Sequence, residues 1–417
     1  MMPIACGVDF GTSNSTVGWS RPGTSALLLL EDGKPTLPSV LFFNTEEEEI
    51  SYGRAALKDY LTGYEGRLFR SLKSMLGTSL IDEETEVHGR AVPFRALLTQ
   101  FIGELQLRSS QLAGREFENA VFGRPVFFVD GNPKADKLAE NTLADVAHSV
   151  GYRNIAFQFE PIAAAFDYES HIAREELVLV ADIGGGTSDF SLVRLSPERA
   201  RKPDRRSDIL ASGGIHVGGT DFDKYLSLSA VMPLLGLGSQ LRNGSEVPSS
   251  YYYDLATWHT INAAYTRKAW LDLKDVYRDA LEKEKLDRLH DLIKKRDGHW
   301  LALKVEEAKI ALSDASVIEM PLERLLASPT VTMQRADFDV AIARMVGAVE
   351  KTVASLLQDA GVRPDQVDTV FFTGGSSGVP LLRAKIAALV PNAQRIEGDL
   401  FGSIGAGLAL DAQRKFS

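Results

Sequence analysis

Two stretches of this chain repeat one pattern, and that repetition limits the fold more than any other feature. Near the start, Gly7-Val8-Asp9-Phe10-Gly11-Thr12-Ser13-Asn14-Ser15 runs along an apolar strand onto an aspartate, then turns through glycine and hydroxyl residues. Near the middle, Val180-Ala181-Asp182-Ile183-Gly184-Gly185-Gly186-Thr187-Ser188-Asp189 does the same. Internal repeats are weighed before other signals. One such turn alone is commonly just a hairpin that needs positive φ. Two of them point to a duplicated α/β unit that grips a polyphosphate from both sides. Glycine lets the backbone reach phosphate without a Cβ in the way, and backbone N–H groups in such turns form anion-binding concavities. Asp9 and Asp182 cannot face phosphate directly. They suit a hydrated Mg²⁺ between carboxylate and phosphate, because Mg²⁺ keeps several waters and takes few carboxylates. The expected ligand is therefore a nucleoside triphosphate with Mg²⁺, bound to Asp9 and Asp182 through water.

Composition narrows the class. At 417 residues, with 44% apolar and 24% charged content, the chain reads as a globular protein with room for two cores. A net charge of −10 argues against a nucleic-acid footprint. The single cysteine, Cys6, lies in the first strand and allows no disulfide within the chain, which fits a reducing, cytoplasmic setting. No run of about 18 apolar residues is present, so no membrane span is expected. The histidines carry no metal-ligand spacing.

Along the chain, residues 4–10 and 15–20 read as a hairpin and 27–30 as a short buried strand. Residues 54–76 and 94–112 show helical spacing of Leu, Phe and Ile. A β-rich stretch at 120–129, a helix at 135–150 and a strand at 155–159 lead to Glu160-Pro161, which opens a helix rich in small residues. The pattern restarts at Leu177. Residues 196–208 read as a polar, basic turn or flexible loop and 209–212 as a strand. Residues 229–300 read as mostly helical, with one amphipathic helix over 267–297. A buried strand near 367–372 meets Thr373-Gly374-Gly375-Ser376, and Ile404-Gly405-Ala406-Gly407 in the last helix echoes the small residues after Glu160.

In this order the motifs resemble the nucleotide-binding domain of the seventy-kilodalton heat-shock chaperone family, a branch of the actin and sugar-kinase superfamily. Gly7–Ser15 is similar to its first phosphate loop and Asp182–Asp189 to its second. Arg70-Ser71-Leu72-Lys73-Ser74-Met75 is similar to its lysine-bearing segment, and Phe159-Glu160-Pro161-Ile162-Ala163-Ala164-Ala165 to its connector. Val217-Gly218-Gly219-Thr220-Asp221-Phe222-Asp223 and Phe372-Thr373-Gly374-Gly375-Ser376 complete the series. The length and the wording Gln158-Phe159-Glu160-Pro161 are similar to bacterial YegD-type chaperone-like proteins.

The resemblance implies a duplicated actin-like (ribonuclease H-like) ATPase fold, with two lobes around a nucleotide cleft. Residues 1–176 would form the first lobe, rejoined by 394–417. Residues 177–393 would form the second, with a helical insertion at about 232–300 available to protein partners. It further implies catalytic roles for Lys73, Glu160, Asp9, Asp182 and Thr187. ATP or ADP would meet Gly11, Thr12, Ser13, Asn14, Gly184, Gly185, Gly186, Thr187 and Gly219. Glu306, Lys309, Ser313, Gly374, Gly375, Ser376 and Asp399 would contact the nucleoside. Asp189 is a further candidate for placing water. Three departures stand out. Ile310 and Gly378 occupy the positions of the two arginines that sandwich adenine, so micromolar ATP affinity is expected. Arg124-Pro125 matches a proline that relays nucleotide state, while the arginine that should follow has no counterpart. The sequence reaches Ser417 without the family's peptide-binding module, so a slow Mg²⁺-dependent ATPase in a chaperone-like or regulatory role is expected without that module. The alternatives are a non-catalytic nucleotide-dependent binding module or exchange-factor-like scaffold and, third, a small-molecule kinase of the same superfamily.

Overall fold

The structure is a computed structural model that describes residues 4–129, 131–202, 204–258, 260–325, 330–399 and 402–416, with only the backbone of Asp167. Two five-stranded sheets carry the repeated turns. The first runs in the order Asn154–Phe159, Asn119–Arg124, Ala5–Phe10, Asn14–Gly18, Thr36–Pro38. The second runs Gln394–Glu397, Thr369–Thr373, Glu176–Ile183, Ser188–Leu195, Ile209–Ile215. The two orders match strand for strand. In each sheet the aspartate-bearing strand is central. Its hairpin partner lies antiparallel on one side, and a strand from later in the chain lies parallel on the other.

The central strands are covered on both faces, which is why they read as continuous apolar runs rather than alternating ones. Every residue of Ala5–Phe10 is buried. One core packs Val8, Phe10, Phe101, Leu105, Phe122 and Leu143 between the first sheet and the helices Phe94–Ala113 and Pro133–Ser149. A second core joins Val121 of the first sheet to Val178, Val180 and Phe371 of the second, with Ile162, Ala163 and Leu408.

Small residues set the helix spacing in that second core. The Ser403–Phe416 helix packs on the Glu160–Ala164 helix. A Cβ added to Gly407 would run into the Ala163 carbonyl. Gly407→Ala is therefore expected to destabilise the protein by about 1–3 kcal/mol, the usual penalty of overpacking, read from the midpoint of urea unfolding.

By density of contacts the chain divides into two compact units. One comprises Met1–Gly214, Val353–Ser377 and Leu389–Ser417; the other comprises Ile215–Thr352 and Gly378–Ala388. Both sheets belong to the first, apart from Ile215. The second contains the helices Gly219–Leu226, Arg267–Asp279, Lys283–Lys295 and Gly298–Asp314, a hairpin of Val317–Pro321 with Thr330–Gln334, and most of the Arg335–Asp359 helix.

Four sequence expectations change. The helix expected over 54–76 covers Gly53–Thr62 and stops at Gly63, which is left-handed with φ 99°. Gly66–Arg70 is instead a strand paired with Val40–Asn44, and Leu72–Met75 is a single 3₁₀ turn. Residues 27–30 bury Leu28 and Leu30 but form only an isolated bridge, from Leu27 to Gly18. The helix expected over 267–297 is two helices, because Ala280 pairs with Leu241 at the break. The loop expected at 196–208 is anchored. Arg205 is 2% exposed and donates to both carboxylate oxygens of Glu169, at 2.9 and 2.7 Å, and to Asp208 at 2.5 Å. A buried guanidinium needs such partners, and Glu169 is too distant in sequence to be read as one.

Candidate functional site

Lys73 sits in the 3₁₀ turn Leu72–Met75. The residue before that turn, Ser71, is held at φ 58°, a left-handed backbone that a non-glycine residue seldom adopts. Glu160 opens a short helix where the strand Asn154–Phe159 ends, with Pro161 at a first-turn position that needs no N–H donor. The Lys73 ammonium donates to Glu160 Oε1 at 2.7 Å, and the two side chains are only 12% and 11% exposed.

Two aspartates converge on this pair. Burial pushes the Asp9 carboxyl up to about 7; the Glu160 charge adds to the rise and the Lys73 charge opposes it. Asp182 rises to about 8, first from burial, then from the charges of Asp189, Glu160 and Asp9, again with Lys73 opposing. Burial works against the charged form of Lys73. The carboxylates of Glu160, Asp9 and Asp182 outweigh that and hold it above its ordinary range. Several carboxyl groups thus crowd around one ammonium in a desolvated place, where a divalent cation would favour their ionised forms. Among the described residues no three His, Cys, Asp or Glu side chains close on a common metal position. Asp9 and Asp182 are the carboxyl groups here that could hold a hydrated Mg²⁺ ion, which takes few carboxylates.

The two turns meet beside the aspartates. In the first, Ser39 fixes the backbone: its N–H donates to the Ser13 carbonyl at 2.9 Å and its hydroxyl to the Gly11 carbonyl at 2.7 Å. In the second, the Gly184 N–H donates to the Thr187 carbonyl at 2.9 Å and the Thr187 hydroxyl to Asp189 Oδ2 at 2.8 Å. A Cβ on Gly185 would meet the Ser13 hydroxyl, which places the two turns side by side. Gly374 lies against the Asp182 carboxyl, Gly375 is exposed and Ser376 is buried. Gly11, Thr12, Ser13, Asn14, Gly184, Gly185, Gly186 and Thr187 are all partly exposed, as a ligand-facing turn must be. A cavity of about 30 Å³, enough for a water or two, is lined by Glu160, Asp182 and Asp189 together with Pro125, Val126 and Phe127.

The remaining candidates are placed as follows. Asp399 is exposed, and its backbone carbonyl accepts from the Ser403 hydroxyl at 2.7 Å. Gly219, Glu306, Lys309 and Ser313 belong to the second compact unit. There the Lys309 ammonium is 2.9 Å from the Asp223 carboxylate and donates to the Gly219 carbonyl at 3.2 Å. Ser313 donates to the Lys309 carbonyl at 3.4 Å, and Glu306 is half-buried. Asp223 and Ser39 were not singled out from sequence. Asp223 ends the quoted Val217–Asp223 motif, four residues after Gly219, so its placement on the same helix was a readable signal. Ser39 offered none, because its partners are backbone atoms.

Comparison with known proteins agrees with this arrangement of motifs. A family model described as Hsp70 protein matches residues 5–100, 95–231 and 275–409. The Chaperone protein HscA homolog of Shewanella sp. (strain ANA-3) is 26% identical over 438 residues, covering 98% of this chain and 58% of that protein. Chaperone protein HscA of Citrobacter koseri is 26% identical over 430 residues, with the same two coverages. Chaperone protein DnaK of Thermosipho melanesiensis is 25% identical over 414 residues, covering 96% of this chain and 58% of that protein. This chain therefore spans well under two thirds of the length of the curated relatives it matches. No described helix is long and apolar enough to cross a membrane. An actin-like ATPase fold follows from the family match, and it accords with the α/β architecture seen here. The chain belongs to the Hsp70 family.

Proposed function

We propose that this chain binds ATP with Mg²⁺ and hydrolyses it slowly, in a chaperone-like or regulatory role in the cytoplasm. The observation that carries the reading is the Lys73–Glu160 pair, 2.7 Å apart and nearly buried, beside Asp9 and Asp182. Glu160 and Asp189 border the cavity and would orient a water for in-line attack on the γ-phosphorus. Lys73 would stabilise charge developing on the transferred phosphoryl oxygens. Asp9 and Asp182 would hold Mg²⁺ through its waters, and Mg²⁺ would supply charge neutralisation at the β- and γ-phosphates. Thr12, Ser13, Thr187 and the Gly184–Gly186 backbone would bind the phosphates. Gly219, Glu306, Lys309, Ser313, Gly374, Gly375, Ser376 and Asp399 would bind the nucleoside. The two-lobed frame, with 1–176 and 394–417 in one lobe and 177–393 in the other, belongs to the same reading, as does a protein-partner surface within 232–300. Single-turnover hydrolysis of labelled ATP tests it; phosphate release that needs Mg²⁺ is the expected result.

Ile310 favours a second reading, a nucleotide-dependent binding module without turnover. It is 55% exposed, and by resemblance to the family it would occupy the position of an arginine that stacks on adenine. Ile310→Arg is expected to tighten ATP binding by about two- to thirtyfold, the worth of one cation–π stack. Titration calorimetry of both proteins checks this. An unchanged dissociation constant would place the base elsewhere.

A further inference from the structure

We propose that Arg124 is the positioning residue that holds the water-bearing wall of this site, an inference that rests on the hydrolytic reading above. Arg124 ends the strand Asn119–Arg124 and is only 8% exposed. Its guanidinium uses its whole fork. Nε donates to the Pro125 carbonyl at 3.0 Å. One terminal nitrogen donates to the Val126 carbonyl at 3.2 Å and to both Asp136 oxygens at 3.1 and 2.9 Å. The other is paired with Glu140. Asp136 also accepts the Phe128 N–H at 2.6 Å, so the same ion pair fastens the segment at one further point.

This segment borders the chemistry. Pro125, Val126 and Phe127 line the same cavity as Glu160, Asp182 and Asp189. The guanidinium also lies 5.4 Å from the ring of Phe159, the residue immediately before Glu160. In the sheet, Arg124 is the register partner of Phe159. One buried side chain therefore sets two walls of the cavity through carbonyls and a ring, without touching the reacting atoms. Lysine could not do this, since an ammonium lacks the planar fork that serves two carbonyls and two carboxylates at once. Asp136 and Glu140, four residues apart on one helix face, carry like charges that would repel without a cation between them.

Loosening that wall should misplace the water rather than the nucleotide. Misplacement of about 1 Å can cost on the order of a hundredfold in rate. Arg124→Ala is expected to lower single-turnover hydrolysis by about ten- to a hundredfold. Its ATP dissociation constant, measured by calorimetry, should stay within about twofold of the unmodified chain, a difference small on the binding scale. Added guanidinium chloride, kept below denaturing concentration, should restore part of the rate, and ammonium chloride should not.

Arg124→Ala leaves Asp136 without its cation, while Glu140 keeps Lys137, and can fail to fold. Arg124→Met with Asp136→Asn and Glu140→Gln removes those charges and keeps the acceptor for the Phe128 N–H. This triple variant should melt close to the unmodified chain yet hydrolyse as slowly as Arg124→Ala. A triple variant with unmodified turnover overturns the inference, as does an Arg124→Ala whose rate is unaltered. An unmodified chain that releases no phosphate overturns both this inference and the hydrolytic reading. Robust turnover that is indifferent to Arg124 overturns this inference alone.

Discussion

Replacing Lys73 by alanine is expected to lower ATP turnover by about a thousandfold while nucleotide affinity changes little, as when a charge-stabilising group acts mainly in the transition state. The geometry supports a large effect. The ammonium is 2.7 Å from Glu160 and is shielded from water, so its field on a phosphoryl group is weakly screened. The substitution has a second consequence. Breaking a buried ion pair by deleting one partner costs about 3–5 kcal/mol of stability. The metal-free variant should therefore melt well below the unmodified chain. Lys73→Met with Glu160→Gln should recover stability without recovering turnover, which separates the two effects. Single-turnover hydrolysis with labelled ATP and calorimetry on the same samples measure both. Turnover unchanged in Lys73→Ala would deny Lys73 its role.

The second large effect concerns pH and metal together. Asp9 and Asp182 are raised to about 7 and about 8 by burial in the absence of any cation. A carboxyl whose folded value lies above its unfolded value near 4 is protonated in the fold while the unfolded chain has already ionised. The folded state then binds more protons, so stability falls as pH rises from about 4 to about 8 and levels off above that range. For Asp182, raised by about four pH units at about 1.4 kcal/mol each, the loss should be on the order of 5 kcal/mol. Asp182→Asn removes its share of that slope and should raise the melting temperature in EDTA at pH 8 by several degrees. The same variant should bind ATP no better with Mg²⁺ than without it. Thermal melts in EDTA and in Mg²⁺ with ATP at pH 5, 6.5 and 8 check the sign. A metal-free protein that gains stability across this range would contradict the burial of these carboxylates.

Much of the fold is legible in residue order because the determinants are local. Apolar strands that end on Asp9 and Asp182, followed by glycine and hydroxyl residues, announce both hairpins. The Phe94–Ala113 helix shows its period, and Glu160-Pro161 marks a helix start. Lys73 shows where locality fails. Leu, Phe and Met spacing around it reads as helix, yet the strand Gly66–Arg70 forms because Val40–Asn44 offers it a ladder. Nothing near Lys73 reveals that its partner stands at Glu160; only the family resemblance suggested the pairing. Arg124 was half legible. Its neighbours Asp136 and Glu140 sit four apart on one helix face, a like-charge pair that calls for a cation. Lys137 answers Glu140 locally, but the cation that serves both lies one strand earlier, and only the tertiary fold brings it there. Arg205 with Glu169 and Lys309 with Asp223 have the same character. Buried ion pairs between distant elements have no spacing to betray them.

The central claim is that Asp9 and Asp182 bind Mg²⁺ together with a triphosphate. Its most direct test is the melting temperature of the unmodified chain with ATP and Mg²⁺, with ATP and EDTA, and with Mg²⁺ alone. Ligand at a hundred times its dissociation constant stabilises by about 2.7 kcal/mol. A rise of several degrees is therefore expected only when nucleotide and metal are both present, and it should vanish in the Asp9→Asn, Asp182→Asn double variant. Equal melting temperatures in all three conditions, or a rise that the double variant keeps, would contradict the claim.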